Sequence, residues 1–455
     1  MKNAIVGLGA CMLAGCSVPL IRPDAAQPLD ARFSAAAPAD GAAVDVDWWS
    51  RLGDAQLTEV LALSQANSPD LRSAAASVMA ARARARQTDA GRDPTVNGNA
   101  SITATAPDFD TRTTTSTALL DASWEVDLFG RARNAAAADV VRAQAEEVSY
   151  VGAYVSLAAE VAGRYVDYRA CTLAQADYAA ALSSQQDTLA ASSSLVDAGI
   201  SAAADLSLAR ANVASAEIAL TNQAADCRVV AQDIARVVGV PQGKIDGILS
   251  TGGGLPSATS FAVTSVPANL LRQRPDVIAA ERTFAASLLD LKVAQANLYP
   301  ALTLGGAVTV SDPQSWSFGP ALSLPILDGG ASRASVRTAN ATALQAAEAY
   351  RSTVLTAVAE VEGALTRLAA ARSNLESAER LVLQFQTYAD AIDEDWRAGG
   401  ATLLDREDAR RQLQSARITR ILQRQAVLTQ WITLYKAVGG GWLSTPPSPT
   451  SAPES

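Results

Sequence analysis

The sequence predicts a mainly α-helical protein that also carries membrane-crossing β-strands, arranged as two tandem copies of one plan. Three observations support this class. A helical pattern continues without interruption from Ala331 to about Arg397. Two pairs of segments change to a period of two, which is typical of strands. Glycine and proline landmarks recur in the same order in both halves of the 455-residue chain.

The longest predicted element is the helix that follows the Gly329–Gly330 turn. In its second half, apolar residues recur at alternating steps of four and three, the spacing of a coiled-coil seam, at Val354, Val358, Val361, Leu365 and Leu368. A helix from Ala331 to about Arg397 would be ~100 Å long, well beyond the diameter of a small domain. An element of this length indicates a function that requires length.

The same plan occurs twice along the chain. When 200 is subtracted from the residue number, Gly330 and Gly399 fall on Gly130 and Gly199 without a gap. Further matches at this offset pair Arg333, Tyr350, Glu360, Asp405, Arg410 and Gly439 with Arg133, Tyr150, Glu160, Asp205, Arg210 and Gly239. Upstream the offset is 206, so that Pro275 and Pro300 fall on Pro69 and Pro94. Landmarks in register indicate an internal duplication.

The duplication defines the predicted domains. The first repeat, residues 51–239, contains helices from about Asp54 to Asn67 and from Pro69 to Gly91, a β-hairpin at about 94–128 and a long helical hairpin at about 130–239. The second repeat, residues 272–442, contains a helix, a β-hairpin at about 300–327 and a long helical hairpin at about 330–438. Residues 240–271 are predicted to be an irregular linker or equatorial segment, and residues 443–455 a disordered tail.

Each predicted β-hairpin has one apolar and one polar face. In the first, apolar side chains alternate with Thr, Asn, Ser and Asp from Thr95 to Thr105 and from Thr117 to Leu128. In the second, the apolar set is Leu302, Leu304, Val308, Val310, Trp316, Phe318, Leu322, Leu324 and Ile326. Strands of about ten to twelve residues can cross a bilayer when tilted. A soluble sheet with one solvent-exposed face gives the same alternation. The long helices, and the lipoprotein leader described below, favour strands that cross a membrane.

No segment after residue 16 resembles a transmembrane helix. If the chain crosses a membrane, it is therefore predicted to do so by β-strands. Four strands cannot close a barrel, and an open sheet edge in lipid leaves backbone groups unpaired. Two chains would supply eight strands around a lumen that side chains fill, whereas three would supply twelve around open space. The strand count therefore predicts an oligomer.

The N-terminus has the features of a lipoprotein leader. Lys2 precedes an apolar run from Ala4 to Ala14, and Leu13-Ala14-Gly15-Cys16 forms a lipobox. Residues 1–15 are therefore predicted to be a signal peptide, and Cys16 the lipidated first residue of a segment, 16–50, that leads away from the membrane anchor. This covalent lipid is the one non-protein group expected. An ordinary signal peptide with an incidental cysteine is the alternative.

Cys171 and Cys227 are the two cysteines that remain after the leader. Each lies 28 residues from Gly199, the predicted hairpin turn, so they sit at the same height in an antiparallel helix pair. A disulfide is sterically reasonable if their faces match, and an oxidising compartment would permit it. The second repeat has Ala371 and Val427 at these positions, so the bond would be a local staple. Two unrelated buried thiols are the alternative.

Composition limits the classes of function. The net charge of −9 argues against nucleic acid or an anionic lipid surface as the main partner. The chain has no histidine, which removes histidine-based acid–base catalysis and histidine metal sites. No cluster of metal ligands appears, and Gly252–Gly254 lies in the predicted linker and not after a strand. We therefore expect no catalytic residue, no metal and no enzymatic activity.

Several ordered motifs carry a family resemblance. They are LLRQRPD at 270–276, AQANLYP at 294–300, FGP at 318–320, LPILDGG at 324–330, AEVE at 359–362 and LYKAVGGGW at 434–442. With them, essentially the whole mature chain resembles the outer-membrane factor family of TolC- and OprM-like channels. It most closely resembles the NodT-type outer-membrane lipoproteins of RND efflux systems.

The resemblance implies a homotrimer whose strands form one twelve-stranded outer-membrane β-barrel, continued by a long α-helical barrel across the periplasm. It also implies an exit duct that conducts small molecules passively, coupled through a periplasmic adaptor, or membrane fusion protein, to an inner-membrane RND-type pump. A periplasmic coiled-coil scaffold or adhesin, anchored only by its lipid and without channel activity, is the alternative.

The resemblance further implies a gate where the helical hairpins turn. The family places aspartates six and nine residues after the hairpin glycine, which correspond here to Asp405 and Asp408, and Leu404 stands at a position that some members use as an apolar constriction. Three subunits would stack these aspartates as acidic rings that favour cations. For Asp405 there is a local alternative, because Thr402 and Asp405 also form the sequence of a helix capping box.

Overall fold

A computed structural model describes residues 53–108, 111–256, 273–311 and 313–440. Four sequence-based predictions lie outside these residues. They are the signal peptide, the lipidation of Cys16, the segment 16–50 and the tail 443–455.

The described residues form eight helices and four strands. In chain order these are α1 (Ala55–Asn67), α2 (Pro69–Ala90), β1 (Thr95–Asp108), β2 (Thr111–Val126), α3 (Arg131–Asp197), α4 (Ala203–Val238), α5 (Gln242–Leu249), α6 (Pro275–Ala296), β3 (Ala301–Val310), β4 (Ser315–Ser323), α7 (Ala331–Arg397) and α8 (Leu403–Ala437). Among the described residues, no helix has both the length and the apolarity of a membrane span. The order α-α-β-β-α-α is followed, after α5, by α-β-β-α-α, so the two tandem repeats are evident.

Two sequence-based expectations are corrected by these bounds. The apolar alternation continues to Ile326, but β4 ends at Ser323. The segment 240–271 was expected to be irregular, yet it contains α5. Gly243 and Gly247 disfavour helix there, but burial of Ile245, Ile248 and Leu249 outweighs that local cost.

The chain divides into two compact units, and each draws on both repeats. The first comprises the described residues of Ala76–Ser149 and Asp276–Val354, and so includes all four strands. The second comprises those of Leu29–Ala75, Tyr150–Pro275 and Leu355–Ser455, including α4, α5 and α8. The long helices α3 and α7 contribute their first turns to one unit and the rest to the other.

In the first unit the strands form one antiparallel sheet in the order β1-β2-β3-β4. The hairpin of each repeat supplies two neighbouring strands, and β2 pairs with β3 to join the repeats. The outer strands of this sheet are β1 and β4. Among the residues that the structure describes, each is therefore paired along one side only.

The register collects the apolar residues onto one face. Leu120 lies opposite Val308, which lies opposite Trp316, and Val126, Leu302 and Leu322 form a parallel row. This face is open, since Trp316 is 80% and Phe318 76% exposed. Gly306 lies opposite Phe318, and a Cβ there would come within 3.0 Å of the phenyl ring. The opposite face is polar, with Asn97 donating to Asp121 at 3.1 Å.

The glycines that mark the duplication occupy left-handed backbone. Gly130 and Gly330, which precede the long helices, have φ of 81° and 89°. The hairpin glycines Gly199 and Gly399 have φ of 72° and 81°. A side chain is disfavoured in this conformation, which explains why both copies use glycine at the same points.

In the second unit, α3 and α4 form an antiparallel hairpin that is cross-linked. Cys171 and Cys227 form a disulfide with their Cα atoms 5.5 Å apart. Gln223, one turn before Cys227, donates to the carbonyl of Cys171 at 3.2 Å and so adds a second link at the same height.

A buried arginine fixes α5 to α3. Arg169 is 2% exposed, and its guanidinium donates to the carbonyl oxygens of Leu249, Thr251 and Gly252 at 3.1–3.3 Å. It also donates to the Tyr165 hydroxyl at 2.9 Å. These bonds satisfy carbonyls at the C-terminal end of α5, which the helix itself leaves unpaired.

Candidate functional site

The site predicted from the sequence lies where α7 turns into α8. The turn is made by Gly399 and Gly400, and the Gly400 N–H donates to the Asp395 carbonyl at 2.9 Å. Thr402 is the N-cap of α8, in extended backbone. This geometry places Leu404, Asp405 and Asp408 within the first two turns of α8.

Asp405 closes the start of α8. Its carboxylate accepts the Thr402 N–H at 3.0 Å and the Thr402 hydroxyl at 2.5 Å, while its own N–H donates to that hydroxyl oxygen at 3.2 Å. The capping box suggested by the sequence is therefore formed. The hydrogen bond from the Thr402 side chain, and then that from its backbone, hold the pKa of Asp405 below its usual value. The side chain remains exposed.

Leu404 and Asp408 differ in their surroundings. Leu404 is 64% exposed, with its apolar side chain in solvent. Asp408 accepts hydrogen bonds from Arg411 and Gln412, one turn further along α8, and its side chain is 39% exposed. Both aspartates are therefore accessible carboxylates, three residues apart on one helix.

Behind these residues lies a partly buried charge network centred on Asp393 of α7. Its carboxylate accepts from Arg406 at 2.6 Å and from Arg410 at 3.0 Å, and also pairs with Arg397 one turn along its own helix. Arg406 is 8% exposed, and its guanidinium lies 4.1 Å from the centre of the Trp396 ring. Two of these three cations, Arg406 and Arg410, lie on α8 and so hold the two arms of the α7–α8 hairpin together.

The network continues to α3. Arg410 donates to the Ser184 hydroxyl at 2.6 Å, and Arg406 to the Thr188 hydroxyl at 3.2 Å. Glu407, 7% exposed, accepts from Thr188 at 3.1 Å and from Gln185. We call Ser184, Gln185, Thr188, Asp393, Arg406, Glu407 and Arg410 the hairpin latch, because its side chains join the helical hairpin of the second repeat to that of the first.

Electrostatics favour the ionised form of the Asp393 carboxyl. Burial raises the pKa of Asp393, but the hydrogen bond from Arg406 and the charges of Arg406, Arg410 and Arg397 outweigh it. The pKa of Asp393 is therefore below its usual value. Its interactions with these arginines persist throughout the neutral range.

A cavity of about 480 Å³ borders the latch. It is lined by residues of α3, α4, α7 and α8, including Asp177, Asp390, Glu407 and Arg417. Beneath the hairpin turn, Ala389, Ala409 and Leu413 form a small apolar cluster with Phe385 and Ile392. Polar and apolar packing therefore both connect α7 to α8 close to the turn.

Sequence reasoning placed Leu404, Asp405 and Asp408 at the hairpin end, but it missed the latch. Arg410 was noticed only as the partner of Arg210 in the duplication. The segment Asp405–Arg411 is so highly charged that it indicates a solvated helix face, and nothing local shows which charges are buried. A partial signal was available, because Arg406 and Arg410 lie one turn apart and share a face.

The remaining predicted residues lie elsewhere. The cross-link between Cys171 and Cys227 lies in the α3–α4 hairpin, and Cys16 is outside the described residues. In the part of the chain that the structure describes, no three Cys, Asp or Glu side chains come together as a metal-binding group. The arrangement at the hairpin end holds the helices together and presents exposed carboxylates.

Comparison with known proteins assigns the family. The pattern of the Outer membrane efflux protein family matches residues 60–240 and 266–440, one match for each repeat. Nodulation protein T of Rhizobium leguminosarum bv. viciae is 30% identical over 449 residues, covering 96% of this chain and 92% of that protein. The probable efflux pump outer membrane protein TtgC of Pseudomonas putida is 27% identical, with 97% and 96% of the two chains covered.

A solved structure is similar over the same extent. The outer-membrane channel OprN superposes with a TM-score of 0.81 at 28% identity, covering 91% of this chain and 99% of that chain. The two family matches fall on the two repeats, and the similarity extends over nearly the whole chain. The chain therefore belongs to the outer membrane efflux protein family, and it is an outer-membrane channel protein of the kind that serves as the exit duct of efflux systems.

Proposed function

We propose that this protein works as a homotrimer in which three four-stranded sheets close one twelve-stranded barrel in the outer membrane, continued by a helical barrel in the periplasm. Small molecules pass through it by passive conduction. They are delivered by an inner-membrane RND-type pump through a periplasmic adaptor. The chain performs no chemistry on them.

One observation carries this proposal: the open sheet with its exposed apolar face. The face is lined by side chains such as Trp316 and Phe318, which are stable in lipid and costly in water. The outer edges of β1 and β4 present backbone groups that lipid cannot satisfy. Further copies of the same sheet satisfy them without any new fold, and twelve strands leave space for a lumen.

The N-terminal anchor is part of the proposal. Lipid on Cys16 would hold each chain at the membrane into which its strands insert. The mass of the mature protein tests this anchor. A chain that begins at Cys16 and carries the added mass of acyl chains would support it. Cleavage at another position contradicts it.

The gate is proposed to lie at the hairpin end. Leu404, Asp405 and Asp408 of three chains would narrow the lumen there, and the hairpin latch would hold α7 and α8 in the closed position. Because Asp405 also caps α8, its substitution alone alters helix stability. Asp408 has no part in that capping box.

The experiment is single-channel recording of the purified full-length protein in planar bilayers. We expect discrete conductance steps from the wild type, and larger or more frequent openings from Asp405→Ala with Asp408→Ala, because the carboxylate rings are removed. Asp205→Ala, at the matching position of the first repeat, is the control and should leave the steps unchanged. A wild type without conductance contradicts the duct. A conducting double variant identical to the wild type removes both aspartates from the gate.

A further inference from the structure

The end of the sheet at which all four strands join helices carries a second surface, distinct from the turns of the helical hairpins. We call this end of the strands the edge. In an antiparallel meander, β1 and β3 begin at the edge where β2 and β4 end. The segments just outside the strands, 91–94, 127–130, 297–300 and 324–330, are therefore neighbours along this edge. All of them belong to the first unit.

This edge exposes a set of apolar side chains. The edge band consists of Leu128, Phe129, Tyr299, Leu324, Ile326 and Leu327, with exposures of 57%, 46%, 49%, 47%, 83% and 94%. Phe129 and Tyr299 stack with their ring centres 4.7 Å apart, which joins the two repeats. The band continues the apolar face of the strands. In water such a set would be an unfavourable patch, so something covers it.

Arginines follow the band directly. Arg133 is the third residue of α3, and Arg337 lies in the second turn of α7. The strands that lead into these helices, β2 and β4, both flank β3, so their ends are about 10 Å apart. Both side chains are exposed, and neither forms an ion pair or hydrogen bond with the described residues. Two exposed arginines therefore lie in the first two turns of the helices that follow the apolar band.

Three of the acidic groups at this edge are already engaged by the chain itself. Asp127 accepts the N–H groups of Ala132 and Arg133 at 3.3 and 2.8 Å, and Asp328 accepts those of Gly330 and Ser332, both at 2.8 Å. Glu125 pairs with Arg131. The helix starts are thus capped by the chain itself. An anionic ligand at this edge would be met by the guanidinium groups of Arg133 and Arg337.

We propose that the edge band and these two arginines bind membrane phospholipid, with acyl chains against the band and the phosphodiester headgroup on Arg133 and Arg337. The planar guanidinium suits phosphate oxygens, and aromatic rings beside cations are typical of a membrane–water boundary. The site rests on the proposed insertion of the strands. It adds to that function a preference for anionic headgroups at this edge.

The test measures lipid retained by the purified trimer, by native mass spectrometry after mixed micelles of phosphatidylglycerol or phosphatidylcholine are exchanged for detergent. We expect phosphatidylglycerol to be retained preferentially, and Arg133→Gln with Arg337→Gln to weaken retention about five-fold for each arginine removed. Arg282→Gln with Arg351→Gln is the matched control. It removes the same number of positive charges, at positions about 20 Å from this edge along α6 and α7. This variant should retain lipid as the wild type does.

Two outcomes overturn the site. Equal retention by the Arg133/Arg337 variant and the control would show that these arginines do not bind headgroups. Displacement of the lipid by millimolar inorganic phosphate would show a simple anion site. Conductance recorded on the same samples separates this proposal from the duct, since a conducting protein without headgroup preference contradicts the lipid site alone.

A second measurement examines what covers the band. A fluorophore on Leu327→Cys should be quenched by lipid that carries a spin label near its headgroup. Absence of quenching in a conducting trimer would mean that another copy of the chain covers the band, and it would contradict the proposal.

Discussion

At the residue scale, the two copies use different side chains to hold the C-terminal ends of their last helices, α4 and α8. The end of α8 is held by Arg274, 6% exposed, which donates to the Ala437 carbonyl at 2.7 Å and pairs with Glu360. At the matching point of the first repeat stands Ser68, and the end of α4 instead packs Gly239 against Asn67 and Pro69. Duplication therefore kept the glycine landmarks, while the polar contacts diverged.

The hairpin latch gives the first prediction at this scale. Asp393→Asn keeps the size of the side chain but removes the charge that three arginines share. We expect a loss of about 2 kcal/mol in the free energy of unfolding and a higher open probability, because hydrogen bonds to a buried charge are among the stronger ones. Recordings and thermal denaturation would both measure this. Asp390→Asn, an exposed residue one turn away, is the control, and equal behaviour of the two variants would remove Asp393 from the latch.

The second prediction concerns pH. Because the pKa of Asp393 is below its usual 3.8, its contribution to stability is complete above that value and is lost as pH falls through the lower folded-state pKa. We expect the stability difference between wild type and Asp393→Asn to be constant from pH 7 to pH 5. It should shrink as the pH is lowered further towards 3. A difference that already falls between pH 7 and pH 5 would mean that another group controls it.

At the scale of elements, the α3–α4 hairpin differs from the α7–α8 hairpin. The first has a disulfide between its arms, whereas the second has Ala371 and Val427 at those positions and relies on the charge network around Asp393. A covalent link fixes the relative height of two helices, and an ionic one can be released. The two hairpins are therefore built for unequal mobility.

The third prediction follows from this difference. Cys171→Ser with Cys227→Ser should lower the free energy of unfolding by about 4 kcal/mol, because the bond closes a loop with a sequence separation of 56 residues. Chemical denaturation of the variant and the oxidised wild type would measure it. In wild-type protein exported to an oxidising compartment, thiol titration under denaturing conditions without reductant should find neither cysteine free. Two free thiols would contradict the bond.

At the scale of the whole molecule, the four-stranded sheet is the feature that one chain cannot complete. Its apolar face is continuous across all four strands, while β1 and β4 are each paired on one side only within the described part of the chain. A barrel built from several copies requires β4 of one chain to pair with β1 of the next.

This arrangement gives the fourth prediction. Asn99→Cys on β1 with Ser317→Cys on β4, both on the polar face of the sheet, should allow oxidation to link neighbouring chains into covalent trimers seen on denaturing gels. The register between neighbouring chains decides which residue of β4 lies opposite Asn99. Asn99→Cys is therefore also combined with Ser315→Cys. Asn99→Cys with Thr303→Cys is the control. Because β3 is an inner strand, this pair should give no covalently linked chains on the gel. Linkage by the control alone, or a solution mass of one chain, would contradict the barrel.

The sequence by itself determined the elements and their duplication. Periods of 3.6 and 2 identify helices and strands because they decide which side chains share a face, and glycines such as Gly199 and Gly399 mark turns because only glycine adopts a positive φ at little cost. The positions of Leu404, Asp405 and Asp408 came from the family resemblance, and the Cys171–Cys227 pairing from equal distances to a turn. Each of these signals is local or nearly so.

Only the tertiary structure decided which charges are buried and that Gln242–Leu249 forms a helix. Asp393, Arg406 and Glu407 appear in the sequence as ordinary charges of two solvated helices, and they form the hairpin latch because α3, α7 and α8 pack together. Helix α5 likewise forms against its local propensity because packing buries Ile245, Ile248 and Leu249. The physical reason is the same in both cases. Burial is set by residues distant in sequence, and its free energy exceeds the local preferences that a single sequence displays.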